Sequence, residues 1–205
     1  MTQPLEHQNL SSRFQHLLAL MKSERFLQMQ GLGNEVPFFI CPYKVEESVD
    51  MNRSIQQLRR SLEQLDIGIV EVNLYDLCIE ILQQDDDLAW YIENETDNTK
   101  SMLLDDLQSM LDVTNNIIPK ISEKIQEQKC DILFITGVGE VFPFIRSHNV
   151  LNNLQSTAKS HPTVLFFPGK YTHSLEHGGS LDLFGRLHDD KYYRAFNIYN
   201  CEVTL

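Results

Sequence analysis

A glycine-rich turn at residues 137–140 comes nearest, of all segments, to a phosphate-binding loop. Gly137-Val138-Gly139-Glu140 follows a predicted strand, where such a turn can bring backbone N–H groups close to a phosphate. The dinucleotide fingerprint needs a third glycine at position 142, which is Phe142, and the Gly-Lys-Ser/Thr of a P-loop does not occur. We interpret the segment as a tight turn and expect no cofactor.

Histidines and carboxylates near the C-terminal end form a second candidate, for metal binding: His173, Glu176, His177, Asp182, His188, Asp189 and Asp190. His173 and His177 have the spacing of a helical metal pair. However, Gly178-Gly179 predicts a loop, and no Glu follows His173 as it would in His-Glu-x-x-His. We expect surface histidines and no metal site.

Nucleophilic catalysis needs a serine or cysteine beside a base and an orienting acid. The chain has no Gly-x-Ser-x-Gly, and neighbours in sequence such as Ser147-His148 seldom have the required geometry. Its cysteines form no Cys-x-x-Cys, and each lies in or beside an apolar segment: Cys41, Cys78, Cys130 and Cys201. We expect buried or half-buried, reduced thiols, although a disulfide between distant cysteines stays open, and no catalytic residue.

Aromatic and arginine side chains are concentrated in three C-terminal segments, at 166–171, 183–187 and 192–196. These residue types anchor protein interfaces. Alternatively, the aromatics complete the core while Arg186 and Arg194 pair with carboxylates. The interface reading predicts these partner-binding residues: Phe184, Arg186, Leu187, Tyr192, Tyr193 and Arg194.

Helical and strand periodicities alternate along the chain. The pattern predicts strands over 36–40, 67–72, 131–135 and 163–167, with Pro168-Gly169 ending the fourth and a further strand within 192–199. It predicts helices over 10–30, 51–65 and 150–159, and a helical insertion over 74–128. The insertion contains helices over 74–84, 101–111 and 117–128.

Alternation of this kind predicts a single α/β domain over 1–205, with a mainly parallel sheet flanked by helices. Degenerate P-loop or Rossmann-like layering is compatible with it. Functional groups of such folds lie beyond the carboxyl ends of the strands. A ligand site, if the protein has one, is expected there among Lys44, Glu140, Arg146, His148 and Lys170.

The formal charge is −12, from 17 basic and 29 acidic residues, so we expect no direct nucleic-acid binding. No apolar run reaches the ~18 residues of a membrane-spanning helix. The first residues lack the basic start and apolar core of a signal peptide. These features predict a cytoplasmic protein without membrane contact.

The aromatic segments carry a resemblance to a known family. Phe-Pro-Gly-x-Tyr at 167–171, Leu-Phe-Gly-Arg-Leu at 183–187 and Tyr-Tyr-Arg-Ala-Phe at 192–196 resemble the BrxB family of BREX phage-defence systems. Residues 142–148 and 151–154 are similar as well. The resemblance spans the chain and is most specific over 131–198.

The resemblance implies a noncatalytic component that binds other BREX proteins. These systems encode a methyltransferase, a large ATPase and PglZ, an alkaline-phosphatase-like protein, and PglZ is the leading candidate partner. The alternative is a nucleotide-dependent switch or hydrolase that uses the carboxyl edge of the sheet. Self-association stays open in either case.

Overall fold

The computed structural model describes residues 3–30, 37–84, 87–174, 178–189 and 195–203. Its strands are β1 (Phe38–Tyr43), β2 (Ile69–Asn73), β3 (Ile132–Thr136), β4 (Thr163–Ser174), β5 (Gly178–Leu183), β6 (Leu187–Asp189) and β7 (Phe196–Asn197). Its helices are α1 (Leu10–Met21), α2 (Glu24–Leu27), α3 (Ser48–Glu63), α4 (Leu74–Gln84), α5 (Asp87–Glu93), α6 (Lys100–Met110), α7 (Ile118–Gln126) and α8 (Ser147–Thr157).

Five strands pair in parallel, in the order β2-β3-β4-β1-β7. Helices connect β1 to β2, β2 to β3 and β3 to β4, as crossovers between parallel strands require. β5 and β6 form an antiparallel extension of β4. The predicted α/β class with a mainly parallel sheet flanked by helices is therefore confirmed.

The central strands are apolar on both faces because helices cover both. Phe39, Phe134 and Phe166 point to one face, where α1 and α3 pack. Ile135 and Leu165 point to the other, which α4, α7, α8 and the β5 strand cover. Continuous apolar runs are typical of strands buried in this way.

The amphipathic pattern of α3 fixes which side of the helix faces the sheet. Met51, Ile55, Leu58 and Leu62 recur at three- and four-residue spacing, and all four are buried. The helix ends at Glu63, before the predicted end at 65, so Leu65 lies outside this stripe and is 53% exposed.

The helical insertion at 74–128 is present, with α4 over the predicted residues 74–84. α4 and α7 bury apolar side chains against the sheet. A short π-helix, Val113–Ile117, leads into α7. By contrast, the described residues from 83 to 110 include no buried side chain, so α5 and α6 form an outer layer.

The fourth predicted strand was too short. Pro168-Gly169 does not end β4, which continues to Ser174 and pairs with β5 in antiparallel register. His173, expected in a loop, lies in β4, and Gly178-Gly179, on which that expectation rested, lie in β5. Of the last predicted strand, within 192–199, the described residues place Phe196–Asn197 in a strand, followed by a 3₁₀ turn at Ile198–Asn200.

Among the described residues, strand β2 is an edge of the sheet, and the carboxylate of its own residue Glu71 is held by three side chains. Glu71 accepts hydrogen bonds from the Gln56 amide at 2.9 Å, from the Arg59 guanidinium at 3.4 Å and from the Thr136 hydroxyl at 3.3 Å. These contacts tie α3 to the strands below it. Within the described ranges, every helix is too short or too polar to cross a lipid bilayer.

A buried ion pair joins α1 to the loop after β1. Arg13 is 2% exposed, and its Nη2 lies 2.6 Å from Oε2 of Glu47. Burial alone would lower the pKa of Arg13, but the hydrogen bond to Glu47 and nearby groups raise it, so the guanidinium stays charged. This contact fixes the N-terminal helix against the end of β1.

Removing one partner of this pair is expected to destabilise the fold. Glu47→Ala leaves a buried cation without its counter-charge and should lower the free energy of unfolding by about 3 kcal/mol. Arg13→Met combined with Glu47→Ala removes both charges and should cost about 1 kcal/mol or less. Urea unfolding followed by circular dichroism measures both. Equal losses in the single and the double variant would contradict the assignment.

Candidate functional site

The crevice between the carboxyl ends of β1 and β4 is where an open α/β sheet would hold a ligand. After β1 the chain continues into α3 on one face, and after β4 it continues into residues packed on the other. Ligands of such folds bind where the chain leaves two adjacent strands toward opposite faces of the sheet. The side chains at this point therefore decide what the edge can do.

Tyr43, the last residue of β1, lies opposite Pro168 of β4. Burial raises the pKa of Tyr43 to about 12, and Cys41 and Glu140 add to the rise, while a hydrogen bond with Ser48 lowers it. The phenol is therefore neutral at pH 7. Its interactions with Glu140 and Ser48 bring the β1 loop, the β3 turn and the start of α3 together.

The loop after β1 has the wrong charge for a phosphate. Lys44 precedes a 3₁₀ turn at Val45–Glu47 that carries Glu46 and Glu47, and Asp50 follows in the first turn of α3. A phosphate-binding loop places backbone N–H groups and a positive helix terminus around its anion. Here Glu46, Glu47 and Asp50 stand at the start of α3, and two arginines, Arg13 and Arg53, are already paired with Glu47 and Asp50, so this end of the helix is poorly suited to an anion.

The Gly-x-Gly turn after β3 is explained by packing. Gly137 has φ +71°, and a Cβ there would overlap the Asn73 side chain, whose Oδ1 accepts a hydrogen bond from the Tyr75 N–H at 2.9 Å. A Cβ on Gly139 would lie 2.8 Å from the Phe184 ring and 2.9 Å from Pro168. The interpretation as a tight turn agrees with this geometry, and the glycines make room for neighbouring elements.

The tip of the β5–β6 hairpin rests on that turn. Phe184 has φ +56°, a left-handed conformation that costs a non-glycine residue about 1 kcal/mol. Its N–H donates to the Pro168 carbonyl at 2.8 Å, and its ring covers Gly139. Phe184 is nevertheless 36% exposed and Leu187 40% exposed, with Arg186 also exposed between them.

Hydrogen bonds hold the β4 extension in place. Tyr171 is buried and donates its hydroxyl to the Ala195 carbonyl at 2.6 Å. Backbone pairs join Gly169–Ser174 to Gly178–Leu183. The hairpin tip is therefore presented on a fixed support.

The five residues predicted at the strand ends lie in different surroundings. Lys44 and Glu140 are exposed near Tyr43, and Lys170 is exposed on the β4 extension, opposite Asp182. Arg146 lines a groove of about 550 Å³ with Asp112, Asn149 and other side chains of α6 and α8. His148 is buried in the first turn of α8.

Some sequence predictions fall on residues outside the described part of the chain. These are Tyr192, Tyr193 and Arg194 of the partner-binding set, and Glu176, His177 and Asp190 of the metal candidates. Among the described residues, no group of three metal-binding side chains comes together.

The cysteines are free thiols in the protonated state. Burial raises the pKa of Cys41 and Cys78 to about 12, and burial is also the main cause that raises the pKa of Cys130 and Cys201 to about 11. All four are unpaired. A thiol must ionise to act as a nucleophile, so none of them is activated at neutral pH.

Sequence reasoning missed two exposed apolar residues at the same edge. Val45 lies in the 3₁₀ turn, and Val49 lies in the first turn of α3. Val49 falls outside the stripe of Met51, Ile55 and Leu58, and this departure from the helical pattern is the signal that could have identified it. Together with the hairpin tip, these side chains make the edge suited to protein contact.

Comparison with known proteins places the chain in a family. The model of the family described as "BrxB: BREX protein BrxB" matches residues 70–198. A Bacillus cereus (strain H3081.97) protein named BREX protein BrxB is 34% identical over 193 residues, covering 92% of this chain and 97% of that protein. An Escherichia coli O9:H4 (strain HS) protein of the same name is 25% identical over 193 residues, covering 92% and 91%.

No solved structure gives a significant match. The family match covers β3, β4, the helical insertion and the β5–β6 hairpin, and it includes the segments on which the resemblance was based. The suspected family is confirmed: the chain belongs to the BrxB family of BREX proteins.

Proposed function

We propose that this protein is a noncatalytic, cytoplasmic component of a BREX phage-defence system that acts by binding other BREX proteins, with PglZ as the first partner. Family membership supports the role in BREX. The single observation that carries the binding role is the hairpin tip, where Phe184 has a left-handed backbone and is partly exposed. A partly exposed aromatic side chain held at the tip of a hairpin supports contact with another protein.

The composition of the tip suits an interface. Phe184 and Leu187 supply apolar area, and Arg186 supplies a cation with five donors. Aromatic residues and arginine contribute a large share of binding energy at interfaces. The support beneath the tip is rigid, which lowers the entropy lost when a partner binds.

The alternative, a nucleotide-dependent switch or hydrolase, has less support from the same edge. Its most favourable position, the start of α3, carries Glu46, Glu47 and Asp50. The glycines of the β3 turn accommodate Asn73 and Phe184. Arg146 lines a different groove and His148 is buried, so the structure does not bring these two residues together with Lys44 and Glu140 in one site.

Substitution of the tip residues is expected to weaken PglZ binding. Phe184→Asn removes the ring, while asparagine tolerates the left-handed backbone, so the turn should persist. We expect the dissociation constant for purified PglZ to rise about tenfold or more, measured by biolayer interferometry. Arg186→Glu and Leu187→Asn should each weaken binding as well.

Leu65→Asn is the matched control, because Leu65 is a 53% exposed apolar residue at the end of α3. It should leave the affinity within about twofold of the wild type. Undiminished binding by folded Phe184→Asn would reject the tip as the docking site. Failure of the wild type to bind PglZ would reject the partner assignment itself.

Nucleotide binding is expected to be absent. Titration calorimetry with Mg-ATP should show no association tighter than about 1 mM, because carboxylates surround the start of α3. A micromolar affinity that Lys44→Ala abolishes would support the switch instead.

A further inference from the structure

The helical insertion carries most of the excess negative charge of the chain. Segment 74–110 contains ten acidic side chains and one basic side chain, Lys100, in a protein of formal charge −12. We call residues 87–110, which comprise α5, a 3₁₀ turn at Glu95–Asp97 and α6, the acidic arm. Glu93, Asp97, Asp105 and Asp106 are all exposed on it.

Large apolar side chains stand among these carboxylates. Trp90 is 52% exposed, and Met102 is 53% exposed, while Ile92 is more exposed than either. The Trp90 indole packs edge-on against Tyr91, with ring centroids 4.9 Å apart. This ring is the only tryptophan of the chain, and tryptophan is the residue type most enriched among the anchors of interfaces.

Packing within the monomer does not account for the arm. None of its described residues is buried, and Leu88, Leu107 and Met110 are only partly buried against the core. α5 and α6 have seven and eleven residues, and isolated helices of that length are unstable in water. Two short helices that bury so little would gain stability from a partner that covers their outer side.

We infer that the acidic arm docks onto a Lys/Arg-rich surface of another protein, with Trp90 and Met102 as its apolar anchors. Complementary charge steers such an encounter and rejects partners of the wrong sign. This surface shares no residue with the hairpin tip, so the inference goes beyond the proposed contact with PglZ.

The negative charge of the acidic arm favours a basic protein surface over a second copy of this chain, nucleic acid or a lipid membrane. A second copy of the chain would bring a second acidic arm and a net charge of the same sign. Nucleic acid and anionic lipid headgroups would likewise be repelled, because their binding depends on cationic side chains. A basic protein surface is the one class that satisfies both the carboxylates and the exposed indole.

Site-specific photo-crosslinking in cells that produce the complete BREX system tests the inference. Benzoylphenylalanine incorporated at position 90 or 102 should form adducts with another BREX protein, and the crosslinked peptides should have an excess of Lys and Arg. Incorporation at position 65, which is equally exposed, is the control and should not form the same adduct.

Charge variants show whether the carboxylates contribute. Asp97→Asn, Asp105→Asn and Asp106→Asn together should reduce the adduct from position 90 at least about tenfold. Glu24→Gln, Glu127→Gln and Glu202→Gln together change the net charge equally at exposed positions elsewhere. This control set should change the yield by less than about twofold.

Several results would overturn the inference, provided that circular dichroism shows each protein folded. They are adducts with this chain itself, adducts with acidic or neutral peptides, absence of adducts at positions 90 and 102, and equal loss in both charge sets. Phe184→Asn in the same cells separates the two proposals: it should weaken PglZ binding and leave the arm adduct in place.

Discussion

Strand β4 is the constraint on which the rest of the structure depends. Its first half, Thr163–Pro168, pairs in parallel with β1 along its whole length and with β3 along part of it, between two apolar helical layers. Its second half leaves the sheet and pairs with β5. One continuous strand therefore joins the close-packed core to the hairpin. The position of the exposed tip is set by a strand whose first half is buried in the core.

The carboxyl edge of the sheet has the strand arrangement at which α/β domains hold ligands, and packing accounts for several of its features. The crevice between β1 and β4 is in the usual place, but carboxylates follow β1, and the glycines after β3 accommodate Asn73 and Phe184. Every thiol is protonated because burial raises its pKa. The exposed apolar and arginine side chains of the hairpin tip, Phe184, Arg186 and Leu187, are of the types that protein interfaces use.

Local patterns in the sequence predicted the elements that depend on burial alone. The apolar run at 131–135 and the helix at 74–84 match β3 and α4 closely, because two-sided burial and amphipathic spacing leave a direct signal. Pro168-Gly169 gave a wrong strand end, because these residue types usually terminate strands. Here pairing with β5 extends the strand past them to Ser174. Two other contacts arise only from tertiary structure and leave no local pattern. Arg13 pairs with Glu47, 34 residues away, and the Phe184 ring packs over Gly139.

The carboxylate of Glu71 has a consequence for how copies of this protein behave at high concentration. β2 is an open edge, and such edges invite foreign strands to extend the sheet. Glu71 is held near that edge by Gln56, Arg59 and Thr136, so a strand that arrived there would have to desolvate a charged network. In the part of the chain that the structure describes, β2 has β3 as its strand neighbour, and the charged network at Glu71 makes strand addition on its other side unfavourable, which opposes growth of fibres from this edge.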